Sequence, residues 1–317
     1  MSAVPRRLGQ LRWSTWRGVL IGSVRRFMAD NCVDWAAALT YYGVLALFPA
    51  AIVVVALVGL VAEGERTIRT ITDLGREIGA EALVANQSFT RALEGVVNQR
   101  SSAGVLLSFG LLGALWSASG FVGAYSRAAN AIYGVREGRP FYKLRPLQLA
   151  ITALTLLLLA LVAVGLIVSG PVADGVGNTL GLGEAPRIAW AVAKWPVLGL
   201  ALMLLLALLA WLAPNVTPPR FRWLTVGGAV TIVAWVVASA GFGFYVANFG
   251  SYDVTYGSLG AIITFLVWLY LSNCALMFGV EINAELQRGR ARQVGAPEPV
   301  EPARPPKEPA DDDPRRD

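Results

Sequence analysis

Residues 223–252 read WLTVGGAVTIVAWVVASAGFGFYVANFGSY, and after Asp253 the chain resumes at 254–280 with VTYGSLGAIITFLVWLYLSNCALMFGV. Neither run holds a charged residue, and each exceeds the roughly 20 helical residues that a hydrocarbon layer requires. Four further uncharged runs, 35–62, 102–126, 146–173 and 195–219, are as long or nearly so. Backbone amides in lipid must be satisfied within their own segment, so runs of this length are helices. They lack the ten-residue alternation of a membrane barrel. The predicted fold is therefore all-α: a polytopic membrane protein built as a bundle of six transmembrane helices.

Composition agrees. Of 317 residues, 55% are hydrophobic and 15% charged, with a mean hydropathy of +0.55, whereas soluble domains carry roughly 25% charged residues. The formal charge of +6 would suit nucleic acid if the basic residues formed a patch on a soluble domain. Here they flank the apolar runs, and no nucleic-acid partner is expected. The two cysteines, Cys32 and Cys274, have no CxxC neighbour and read as packing residues. Histidine is absent, which removes Ser-His-Asp and Cys-His nucleophiles and His-ligated zinc. No catalytic group is assembled by the remaining residues. The expectation is a protein that is not an enzyme, with no metal site and no cofactor.

Arginine sets the topology. Arg6, Arg7, Arg12, Arg17, Arg25 and Arg26 precede the first acid, Asp30, which places the N-terminal end in the cytoplasm. The second and fourth connections carry Arg136, Arg139, Lys143 and Arg145, then Arg220 and Arg222, and Arg288, Arg290 and Arg292 follow the last span. Both termini are then expected on the cytoplasmic side. Within 1–34, a basic amphipathic segment, Trp13, Trp16, Leu20, Val24 and Phe27 recur at helical spacing. That pattern fits an interfacial helix on anionic headgroups and equally one docked on the bundle's own cytoplasmic face.

Residues 35–286 form the transmembrane domain. Its first outward connection, 63–101, mixes charges with the repeats Ile68, Ile71, Leu74, Ile78 and Phe89, Leu93, Val96, and is predicted to be a helical outer loop. Residues 287–317, with seven prolines among mixed charges, read as a disordered cytoplasmic tail. It offers a contact for envelope proteins or is a solvated terminus.

Ionisable groups near a bilayer are costly, so those at span edges are candidate site residues. Asp34, Arg127, Asn130, Glu281 and Asn283 are predicted to form a polar cluster near the inner leaflet, joined by Asn31. It serves either as a structural ion-pair lock or as the floor of a polar cavity. Glu281 and Glu285, four apart, share a helix face. On the outer side Asn248, Tyr252, Asp253 and Tyr256 are candidate binding residues at the turn between the last two spans, where Asp253 either meets a headgroup or cation or caps the following helix. Pro49, inside the first span, removes a helical hydrogen bond and favours a kink. Lys194 reads as a snorkelling anchor.

Three blocks carry a resemblance: 39–49 (LTYYGVLALFP), 120–143 (GFVGAYSRAANAIYGVREGRPFYK) and 245–286 (YVANFGSYDVTYGSLGAIITFLVWLYLSNCALMFGVEINAEL). Over about residues 15 to 290 the chain resembles the YihY/virulence factor BrkB family of bacterial inner-membrane proteins. The resemblance implies a six-helix polytopic protein and names no catalytic residue. An older family label, ribonuclease BN, implies a tRNA-processing nuclease. The residues argue against it, because a metal-dependent nuclease needs a compact ligand cluster and the acids here are scattered. The function expected is transport or handling of an envelope lipid or solute, with membrane lipids as partners. A non-transporting envelope scaffold is the alternative. The sequence sets no oligomeric state.

Overall fold

The computed structural model describes residues 10–59, 104–179, 185–216, 225–249 and 258–295, and these are helical with no strand among them. In chain order the helices are α1 (Trp13–Ala29), α2 (Cys32–Gly59), α3 (Gly104–Tyr133), α4 (Phe141–Thr179), α5 (Ala185–Leu212), α6 (Val226–Phe249) and α7 (Ser258–Gln293). Helices α2 to α7 overlie the six uncharged runs. Among the described residues four segments are long and apolar enough to cross a membrane: Phe141–Val162, Ile188–Leu212, Val226–Val246 and Ile262–Gln293. The outer loop 63–101 lies outside the described residues.

The chain passes from α1 to α2 through two residues. Asp30 N–H donates to the Arg26 carbonyl, and Asn31 takes a φ of 53°, a left-handed conformation that asparagine tolerates better than most residues. Helix α3 ends differently. Gly134 has a φ of 69°, Val135 N–H donates to the Asn130 carbonyl and Gly134 N–H to that of Ala131. This is the paired 6→1 and 5→2 closure that satisfies a helix's last carbonyls.

Helix α6 packs on α7, α2 on α3, α4 on α5, and α1 on the C-terminal turns of α7. The core gathers at one end of the bundle. It joins Cys32, Ala36 and Leu39 of α2, Tyr125, Ala128 and Ile132 of α3, Ile151 of α4, Ala213 and Val216 after α5, and Met277, Val280 and Ala284 of α7. The other face of several helices is bare: only 6% of the apolar windows of α5 and of α6 is buried, and Leu200, Val233, Val237 and Phe244 stand exposed. Apolar surface on this scale is costly in water and stable against lipid tails.

Close approach of α6 and α7 depends on two glycines. A Cβ on Gly227 would meet the Gly279 carbonyl, and one on Gly279 would meet the Thr231 hydroxyl and the Gly227 carbonyl. Small residues let backbones touch where lipid supplies no hydrophobic force between helices.

Two expectations change. Helix α7 runs past 286, the expected end of the transmembrane domain, to Gln293, because Leu286 and Arg288 are buried against neighbouring helices and the helix continues wherever it still has a partner. The residues 287–293 are therefore helix, and 296–317 lie outside the described residues. The apolar stripe of α1 also divides: Trp16 and Phe27 pack inward, while Trp13, Leu20 and Val24 are exposed.

Candidate functional site

Two ionic networks occupy the end of the bundle where the core gathers. In the first, Arg288 of α7 donates to Glu281 at 3.2 Å and to Glu285 at 2.9 Å, and also to the main-chain carbonyl of Ile132 at the end of α3. Glu281 and Glu285 are fully buried, 0% and 1% exposed, so each needs compensation. Glu285 receives it from three guanidinium groups: Arg288 and, from α1, Arg26 at 3.0 Å reach Oε1, while Arg292 reaches Oε2 at 2.7 Å. Among the described residues Glu281 has only Arg288 as a charged partner, and its Oε2 is buried without a hydrogen-bond partner. The spacing is helical, since residues three and seven apart share a face.

The second network closes the α3–α4 connection onto the end of α5. Glu137 and Arg139 meet through two hydrogen bonds of 2.7 and 2.8 Å, and Glu137 also accepts from the Arg139 N–H and from Asn130 Nδ2. Burial alone would raise the Glu137 pKa. The Arg139 hydrogen bonds and charge, with the bond from Asn130, outweigh it and hold the carboxyl below its ordinary range. Arg139 then donates to the carbonyl of Ala213 at 2.7 Å, where Ser126 Oγ also donates, also at 2.7 Å. The Ala213 carbonyl lies one residue past the end of α5 and has no intrahelical donor, so the arginine serves as a C-terminal cap. Asn130 Oδ1 accepts from Asn215 N–H at 2.6 Å, and Asn215 Nδ2 donates to the Arg136 carbonyl.

A smaller contact ties α3 to α4. Arg145 stacks over Trp116 at 4.3 Å and bonds Gln148 at 3.1 Å.

The predicted cluster is thus divided. Glu281 lies in the first network and Asn130 in the second. Asn283 accepts from Gly227 N–H at 2.9 Å and so fastens α6 to α7. Arg127 is exposed with its guanidinium over Tyr42, 5.5 Å from the ring centre, and Asp34 and Asn31 are exposed at the start of α2. The arginine that neutralises Glu281 is Arg288, not Arg127. On a straight helix Arg288 is in reach of Glu281 by spacing alone, and a domain boundary at 286 leaves it out. Glu137 and Arg139 pair within one loop with no helical period to mark them, and the contacts of Arg139 with Ala213 and of Asn130 with Asn215 depend on how α5 is placed. Of the outer candidates, Asn248 is exposed and donates to the Phe244 carbonyl at 2.8 Å. Tyr252, Asp253 and Tyr256 lie outside the described residues. Among the described residues no group of three or more His, Cys, Asp or Glu is placed to hold a metal ion.

Helical throughout its described residues, with several apolar helices bare to their surroundings and buried ion pairs gathered at one end, the chain is a multi-pass membrane protein. Comparison with known proteins gives the family: the one described as Virulence factor BrkB matches residues 23–303, and the chain belongs to it. It is 32% identical over 254 residues to the ribonuclease-like protein YfkH of Bacillus subtilis, covering 80% of this chain and 89% of YfkH. It is 31% identical to a UPF0761 membrane protein of Rhodospirillum centenum and 30% identical to one of Alkalilimnicola ehrlichii, covering 87% and 82% of this chain. The chain spans 59% and 56% of those two relatives, a little over half their length. No solved structure matches it.

Proposed function

We propose that this chain is a six-span protein of the bacterial cytoplasmic membrane, with the ends of α1 and α7 on the cytoplasmic side, that transports or handles an envelope lipid or solute. The observation that carries the reading is the paired ionic floor at one end of the bundle. Buried charges are costly unless paired, and replacing such pairs by apolar residues is often neutral for stability. Their presence in the bundle supports a role in which partners exchange. Glu285, shared by three arginines from two helices, is suited to losing one partner while keeping the others. The basic residues of the α3–α4 connection lie at the same end, which supports a cytoplasmic assignment by the positive-inside rule. In the same reading α1 lies in the headgroup layer with Trp13, Leu20, Ile21 and Val24 toward the acyl chains.

The test is reconstitution. Purified protein in liposomes is expected to accelerate movement of a labelled envelope lipid or anionic solute across the bilayer, and Arg288→Met together with Glu281→Gln to abolish it while the protein stays folded. A wild type inactive across a broad panel of envelope lipids and anionic solutes overturns transport. The name of YfkH adds a ribonuclease reading. It is tested on the same preparation with precursor tRNA and a divalent metal, and cleavage that follows the protein through purification would replace the transport reading.

A further inference from the structure

Between α1 and the last turns of α7 lies a cavity of about 440 Å³, lined by Gly22, Arg25, Arg26 and Asp30 on one side and Glu285 and Arg292 on the other. Three guanidinium groups face two carboxylates, and both oxygens of Glu285 are already taken by arginines. The cavity therefore keeps a surplus of one positive charge, while among the described residues Asp30 Oδ2 is buried without a hydrogen-bond partner. Arg26 and Arg292 are 41% and 44% exposed despite their ion pairs. Among the described residues the Arg25 side chain enters no ion pair or hydrogen bond, and it is exposed.

The position of Arg25 decides what kind of anion fits. On α1 it lies four residues after Ile21, one after Val24 and three before Met28, and these three are 58%, 62% and 68% exposed. Such spacing puts all four residues on one helical face. One guanidinium of the cavity thus stands at the edge of a bare apolar stripe. A dissolved phosphate ion has no use for that stripe. A phospholipid does, because its phosphate enters the cavity while its acyl chains cover the stripe.

We propose that the α1–α7 cavity is a binding site for the phosphate of an anionic phospholipid headgroup, with Arg25 as the residue at the lipid-facing rim and Arg26 and Arg292 as donors inside. The site rests on the membrane assignment above and not on transport. Guanidinium groups bind phosphate through short, charge-assisted hydrogen bonds, and basic pockets between membrane helices are suited to headgroups.

The experiment is native mass spectrometry of the full chain in a neutral detergent, titrated with phosphatidylglycerol, with diacylglycerol as the lipid without phosphate and with glycerol phosphate as the headgroup without chains. Phosphatidylglycerol is expected to bind one site at least tenfold more tightly than either. Arg25→Gln is expected to weaken it five- to tenfold and Arg25→Lys less than threefold. Arg17→Gln, at an exposed arginine of α1 that does not line the cavity, is expected to leave it unchanged. Equal binding of glycerol phosphate would make the cavity a soluble-anion site and overturn the proposal. So would an Arg17→Gln loss as large as that of Arg25→Gln, the sign of diffuse surface charge, or an unchanged Arg25→Gln. Retained lipid in a protein that moves nothing in liposomes would uphold this site and remove transport alone.

Discussion

The guanidinium of Arg288 donates to the main-chain carbonyl of Ile132, 156 residues earlier, and so ties the C-terminal part of α7 to the last turn of α3. The same group neutralises Glu281. Arg288→Met is expected to destabilise the protein by about 3–5 kcal/mol, the cost of stranding a buried charge. Glu281→Gln in the same chain should return most of that loss, since Glu285 keeps Arg26 and Arg292. Thermal unfolding in detergent, followed by tryptophan fluorescence, measures both. A double variant no more stable than Arg288→Met would show that the ion pair is not the source of the loss.

Gly227 and Gly279 set the distance between α6 and α7. Alanine at Gly279 has no room and is expected to cost about 1–3 kcal/mol, as overpacking of a tight contact does. A Cβ added at Gly241 of α6 would meet nothing within 4 Å, so Gly241→Ala is expected to be neutral or slightly stabilising. The two variants compared by thermal unfolding separate packing from helix propensity.

Glu137 gives the fold an acid-sensitive clasp. Its pKa is lowered in the folded protein, so the stabilisation is complete above the ordinary carboxyl value of 4.5 and is lost as pH falls through the lower folded value. Wild type is expected to be more stable than Glu137→Gln at neutral pH, with the difference shrinking as the solution is acidified below that range. Unfolding midpoints of both proteins between pH 7 and pH 3 test this, and a gap that stays constant would contradict it.

Thr15 Oγ1 donates to Gln293 Oε1 at 2.9 Å, and Gln293 Nε2 reaches the Gln10 carbonyl at 3.0 Å, so the start of α1 and the end of α7 lie on one side. Cysteines introduced at Ser14 and Gly295, both exposed, in a chain with Cys32→Ala and Cys274→Ala are expected to react with an impermeant thiol reagent in inside-out vesicles and not in intact cells. Labelling of one position from each side would break the docking of α1 on α7. Labelling of both from outside would reverse the proposed orientation.

The apolar helices were legible in the sequence, because lipid acts on each segment separately: a run of some 20 uncharged residues meets its backbone and side-chain requirements without help from any other part of the chain. Thus 223–252 and 254–280 marked α6 and α7 correctly as helices, and the family motifs agreed with the match over 23–303. Pairing of charges is another matter. Arg288 is within helical reach of Glu281, yet a sequence cannot tell whether Glu281 turns to it or to Arg127 on another helix, and the continued helix and burial of α7 beyond 286 select Arg288. Arg139 reads as one more cytoplasmic arginine until α5 ends beside it with open carbonyls. Individual helices follow from local hydropathy, which is a property of each segment. Which residues meet at their ends depends on the crossing and stagger of several helices at once, and the tertiary structure alone decides that.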